Sequence, residues 1–134
     1  MPKLNVWSPH ALAAMRIMTA LLFVEHGLMK LVGFPAPGPT PLPPLMLVAG
    51  LIEVIGGGLI AVGLFTRIAA FICSGMMAVA YFKAHAPESF WPLLNRGDAA
   101  ILYCFVFFYF VFAGPGAWSL DAYWPASKRK VATA

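Results

Sequence analysis

"GLIEVIGGGLIAVGL", residues 50–64, carries one carboxylate, Glu53, and no other polar side chain. A run this apolar belongs in a helix surrounded by lipid, and an acid inside it needs a physical reason. Steps of four through Glu53 give Ala49, Glu53, Gly57 and Ala61, a stripe of small residues interrupted by the acid. Small stripes let membrane helices approach closely. Glu53 is therefore expected to face other helices and not the acyl chains. A lone ionised carboxylate there costs on the order of a few kcal/mol, so it requires a basic partner or a proton.

The rest of the chain agrees with a lipid solvent. Of its 134 residues 61% are hydrophobic and only 10% charged, against about 25% charged in soluble domains, and mean hydropathy is +0.82. Four apolar segments run from about Pro9 to Leu31, Pro44 to Phe65, Ile68 to Ala86 and Asp98 to Ala113. Each approaches the roughly 20 residues that cross a bilayer core as a helix. Helices are required because lipid offers no partner to backbone polar groups. The expected fold is all-α, a single-domain integral membrane four-helix bundle over residues 1–134. Arg16 and Glu25 inside the first segment, and the lack of a small-residue cleavage site at its end, argue against a signal peptide.

Four spans place both termini and the turn around Arg67 on one side. Lys3, Arg67, Lys128, Arg129 and Lys130 lie there, while Lys30, Lys83 and Arg96 on the other side are diluted by Glu88 and Asp98. The bias favours cytoplasmic termini in a bacterial inner membrane. Trp7, Trp118 and Trp124 then belong to the inner interfacial belt, and Phe90 and Trp91 to the outer one. The net charge of +4 fits a basic tail meeting anionic lipid better than nucleic acid, because the cations are scattered.

The first loop, "GFPAPGPTPLPP", holds six prolines between Pro35 and Pro44 and is expected to be an extended strap. The loop "PESFWPLLNRG" is amphipathic, and Asn95 or Gly97 is expected to start the last long helix with Asp98 in its first turn.

Candidate partners for Glu53 lie on the first helix. At 1.5 Å per residue Glu53 sits roughly 13 Å below the outer start of its helix, and Glu25, His26 and Lys30 occupy the outer third of the first helix. Arg16, Phe23, His26, Gly27 and Lys30 share one broad face, with Glu25 nearly opposite Arg16. His26 and Lys30 are thus expected to look at the second helix, and Glu25 at another neighbour. Lys83 and His85 add basic groups at the outer end of the third helix. The candidate pocket is Glu53, His26, Lys30, Glu25, Lys83 and His85. A purely structural reading stands beside it, in which buried ion pairs fix helix register and lysines snorkel to the interface. Arg16 reads as a headgroup or helix-terminus contact.

A metal site of His26, His85 and Glu53 is conceivable, but no two of them lie at i, i+3 or i+4 on one helix, and no metal is expected. His10, at the inner rim, is poorly placed for haem. Cys73 and Cys104 are expected to differ in depth by roughly 10 Å, too far for a disulfide. Aromatic residues crowd the last helix from Tyr103 to Phe112, where a planar ring such as a quinone has surfaces on which to stack.

"HGLMKL" (His26 to Leu31), "EVIGGGLIAVGLFTRIAA" (Glu53 to Ala70) and "GPGAWSLD" (Gly114 to Asp121) resemble the signatures of DoxX-family membrane proteins. "MMAVAYFKAHAPESFWP" and "NRGDAAILY" fit the same family, and the likeness runs over nearly the whole chain in order. The resemblance implies a small four-helix membrane protein, in some members a subunit of a quinone-linked oxidoreductase, in others an associate of redox enzymes. Its polar signatures fall on His26, Lys30, Glu53, Arg67, Lys83, His85, Trp118 and Asp121. The expected function is therefore a membrane subunit of an oxidoreductase system that meets quinone or a redox partner protein. The alternative is a non-catalytic assembly factor or receptor for partner proteins. The oligomeric state is open.

Overall fold

The computed structural model describes residues 4–123, and every regular element among them is helical. A short 3-10 turn, Asn5–Trp7, leads into α1, Ser8–Val32, which is followed by α2, Pro44–Val62. Next comes α3, Thr66–Ala80, whose last turn widens into a π-helical turn, Tyr81–His85. A single turn, α4, Pro92–Asn95, precedes α5, Asp98–Ala113, and α6, Leu120–Tyr123, closes the described chain. Lys3, Trp124 and the basic run Lys128 to Lys130 lie outside these residues.

Local chemistry sets the helix boundaries. Proline stands at the first position of α2, where its missing N–H costs nothing and its fixed φ suits a helix. Gly63 ends α2 at φ 69° and donates its N–H to the Ile60 carbonyl, a left-handed cap that glycine adopts without strain. The turn to α3 therefore falls earlier than expected, at residues 63–65. The second apolar segment stops at Val62, not Phe65, and the third starts at Thr66, not Ile68.

Residues 5–32, 44–62 and 66–85 are long and apolar enough to cross a membrane, and α5 is a shorter apolar helix of 16 residues. Large apolar side chains such as Leu51, Ile55, Ile68, Phe105 and Phe112 stand exposed around the outside of the helices, where acyl chains would cover them. The chain is an integral membrane protein.

Helices α1 and α2 pack closely, as do α3 and α5, and the two pairs join mainly through α2 and α3. A Cβ placed on Gly27 of α1 would lie 2.8 Å from the Gly50 carbonyl oxygen and 2.9 Å from Glu53 Cβ. Only glycine permits that approach. The core between the pairs holds Phe23, Ile60, Ala70, Cys73, Phe107 and Phe110. Phe23 joins α1 to α5, its ring centroid 4.7 Å from that of Phe107 and 5.3 Å from that of Tyr103. Residues 33–43 form no helix and fold back on the end of α1, where a Cβ on Gly38 would meet the Met29 carbonyl oxygen at 2.6 Å.

Candidate functional site: a cavity at the distal end

The end holding the first and last described residues is called proximal here, and the end with loops 33–43 and 86–97 distal. Glu53 is 5% exposed. On α2 it shares its buried face with Gly50, Gly57 and Ile60, so the stripe is turned slightly from the expected one. Strict steps of four drift by about 40° each in a helix of 3.6 residues per turn, which replaces Ala49 by Gly50 and Ala61 by Ile60. Lys30 Nζ donates to both carboxylate oxygens of Glu53 at 2.6 Å. It is the one salt bridge among the described residues. The pair leaves no net charge at this level of the protein, which makes burial of the acid tolerable.

The pair forms part of the wall of a cavity of about 890 Å³ that all four apolar helices line. That volume lies within the roughly 300–1,000 Å³ of small-molecule sites. Its body is apolar: Phe23 from α1, Ile52 from α2, Phe71, Ile72 and Met76 from α3, and Ala100 from α5. Its polar lining comes from His26, Lys30, Glu53, Lys83, His85, Arg96 and Tyr103.

Two histidines are held in a defined way. His26 Nδ1 donates to the Leu22 carbonyl at 2.8 Å, leaving Nε2 as the acceptor nitrogen of the neutral ring. The ring lies edge-on to Tyr103, centroids 5.8 Å apart. It faces α5, not α2 as its place on the helical wheel suggested. His85 Nδ1 donates to the Asn95 carbonyl at 2.9 Å, which ties the π-helical turn to the loop before α5. Asn95 is fully buried. Its amide donates to the Ser89 carbonyl at 2.8 Å and its side-chain oxygen accepts from Gly97 N–H at 2.8 Å. Gly97 caps α5, and Asn95 organises the loop one turn earlier. This knot brings Arg96 to the cavity beside Lys83 and His85. Glu25 is exposed and does not line the cavity.

Sequence reasoning missed Arg96 and Tyr103 as lining residues. Arg96 sits in a loop, where periodicity says nothing. Tyr103 was one aromatic among many, although its spacing of four from Phe107, with which it stacks at 5.8 Å, marks the inward face. Its hydroxyl makes no hydrogen bond among the described residues.

The proximal end is built differently. Arg16 is fully buried. Its guanidinium donates to the carbonyls of Ile60 and Ala61 at 2.7 and 2.9 Å, and of Ala117 and Trp118 at 3.3 and 2.8 Å. It thereby satisfies carbonyls at the end of α2, where a cation also meets the negative end of the helix dipole. Arg67 does the same for α5, donating to Val111 and Phe112 at 2.6 and 2.8 Å. Asp121 reaches back to the start of α3 and accepts the N–H groups of Phe65 and Thr66 at 2.8 and 3.0 Å. Partial burial pushes the Asp121 carboxyl upward, but the hydrogen bonds from Thr66 and Phe65 and the charge of Arg16 outweigh it and hold the group below its ordinary value. Arg16 is thus a helix-terminus contact, one of the two roles its sequence position suggested.

Both cysteines are free thiols, but not because of depth. Ser74, next to Cys73, donates to the Cys104 carbonyl at 2.8 Å and lies 3.6 Å from Cys104 Sγ, so the two thiols sit at nearly the same level. The depth estimate failed because α5 is short and its start lies deeper than a full span would put it. Direction separates the thiols instead. Cys73 Sγ points at Gly56 of α2, where an added Cβ would meet it at 2.5 Å. No group of three His, Cys, Asp or Glu side chains among the described residues is placed to hold a metal ion.

The DoxX family model matches residues 11–86. An uncharacterized protein of Haemophilus influenzae is 44% identical over 132 residues, covering 90% of this chain and 96% of its own. An uncharacterized membrane protein of Mycobacterium tuberculosis is 27% identical over 138 residues, covering 88% and 83% of the two chains. No solved structure matches.

Proposed function

The chain belongs to the DoxX family, and from that premise and the cavity we propose a quinone-binding membrane subunit of an oxidoreductase system. In this reading α1, α2, α3 and α5 form a four-helix bundle that crosses a bacterial inner membrane four times with both termini in the cytoplasm. The distal end then faces outward.

The observation that carries the reading is an apolar cavity of about 890 Å³ with a buried Lys30–Glu53 pair in its wall. A lipid-soluble quinone matches that chemistry: a flat apolar ring with two carbonyl acceptors. Donors of the right kind are present. The Tyr103 hydroxyl is uncommitted, and His26 Nε2 donates when the imidazole is protonated. Quinone reduction joins two electrons, from a redox partner, to two protons. His26 would deliver one proton at Nε2, and the second proton and the one that restores His26 would enter from the aqueous phase at the distal rim. The Lys30 ammonium and Glu53 carboxylate, 2.6 Å apart, keep their charges and leave the wall neutral. Phe23 and Phe107 pack against the Tyr103 ring and keep it in place.

The test is titration of the purified protein, in nanodiscs of neutral lipid, with a short-chain quinone such as decylubiquinone. Saturable binding is expected, weakened about tenfold or more by Tyr103→Phe or His26→Ala. A wild-type protein that takes up no quinone above the empty-disc background would overturn the reading.

A second reading has its own support. Phe90, Trp91, Leu93 and Leu94 at the distal surface are 82%, 64%, 80% and 68% exposed, a surface suited to docking a partner protein. That reading, an assembly factor or receptor, expects partner binding to fail when residues 86–96 are exchanged while quinone has no effect.

A further inference from the structure

The cations at the distal rim of the cavity are not balanced. Lys30 is neutralised by Glu53. Lys83 and Arg96 also line the cavity, yet neither is in a salt bridge among the described residues. The acids of this end, Glu25, Glu88 and Asp98, do not line it. His85, clamped through Nδ1 to the Asn95 carbonyl, lines the cavity with Lys83 and Arg96, its Nε2 making no hydrogen bond among the described residues.

Below this rim the cavity is long as well as apolar. Along α3 its lining runs from Lys83 down to Phe71, twelve residues and therefore about 18 Å. A cationic mouth above an apolar channel of that length matches one chemistry, an anionic head on a hydrocarbon chain. We propose that the rim formed by Lys83, Arg96 and His85 binds the phosphate of an anionic phospholipid, with one acyl chain lying in the channel between α2 and α3. Arg96 supplies the planar fork that suits phosphate oxygens, and Lys83 a point charge beside it. A free phosphate ion would leave the channel empty, and a zwitterionic lipid would bring its own cation to a rim that already holds two. This goes beyond the quinone reading and shares only the cavity with it.

The test is native mass spectrometry of the detergent-purified protein, with phosphatidylglycerol and phosphatidylcholine of identical chains added in equal amounts. Each basic group near a membrane surface strengthens binding of anionic lipid about fivefold, so phosphatidylglycerol is expected to win by at least about tenfold. The pair Lys83→Gln and Arg96→Asn, where asparagine suits the positive φ of Arg96, should bring the ratio to within about twofold. The charge-keeping pair Lys83→Arg and Arg96→Lys should restore it, with thermal unfolding checked for each. Equal binding of the two lipids, or an undiminished preference in the charge-removed pair, overturns the proposal. Displacement of the lipid by millimolar inorganic phosphate alone also overturns it, in favour of a free-anion site. Quinone titration in neutral lipid is read separately, so either proposal can fail while the other stands.

Discussion

The two ends of this protein use charge in opposite ways. At the proximal end Arg16, Arg67 and Asp121 spend their hydrogen bonds on backbone groups that the helices leave unsatisfied. At the distal end Lys83 and Arg96 line a cavity with no ion pair of their own. Between them lies Lys30–Glu53, which balances itself. The contrast separates two tasks. A charge committed to helix ends holds the fold together, whereas an uncommitted charge beside an apolar cavity is available to something else.

The comparison breaks first at Arg16, if anywhere. Arg16→Ala strips four carbonyl acceptors of a buried charged donor, and charged hydrogen bonds contribute about 1.5–3 kcal/mol each without being additive. A loss of about 4 kcal/mol or more is expected, seen as collapse of the folded, monodisperse yield in detergent. Next comes the central pair. Lys30→Met leaves Glu53 buried without its cation and should cost roughly 2–4 kcal/mol, whereas Lys30→Met with Glu53→Met should recover most of that in a thermal unfolding series. A double variant as unstable as the single one would show that the pair does more than neutralise itself.

Gly27→Ala is expected to cost about 1–3 kcal/mol, because the new methyl meets the Gly50 carbonyl and the Glu53 side chain. Asp121 gives a pH signature. Its carboxyl is held below the ordinary value, so its contribution is complete above the ordinary carboxylate pKa and is lost as pH falls through the lowered one. Asp121→Asn should therefore flatten the acid limb of a stability-against-pH curve and lower the plateau near neutrality. Smallest of all, Lys83→Gln and Arg96→Asn should each change stability by no more than about 0.5 kcal/mol. A large loss there would erase the distinction between the two ends.

Much of this was readable in the residues. The lipid solvent followed from composition, and the inward face of Glu53 from small residues at helical spacing. Lys30 was one of several candidate partners on the first helix, and helical rise did not single it out; the folded chain shows that it is the one that meets Glu53. What escaped the reading lies where periodicity carries no information. Asn95 acts through three side-chain contacts with no regular spacing, and with the His85 bond to its carbonyl they form the knot that brings Arg96 to the rim. The π-helical turn at Tyr81–His85 shifts the phase of Lys83 and His85 relative to an ideal helix. The capping by Arg16 joins residues 44 and 102 positions apart, a pairing only the folded chain can show. The thiols were misjudged in depth because a 16-residue helix was given the length of a full span.

The central claim is that the distal cavity, and not the lipid-facing surface, receives a lipid-soluble ligand. Photolabelling tests it most directly, with a quinone carrying a photoreactive group near its ring, in nanodiscs, followed by peptide mapping. The account predicts label concentrated on peptides carrying His26, Glu53 and Tyr103, and suppressed by excess unlabelled quinone. Label spread evenly over exposed positions such as Ile55, Phe105 and Phe112, unaffected by competitor, would contradict it.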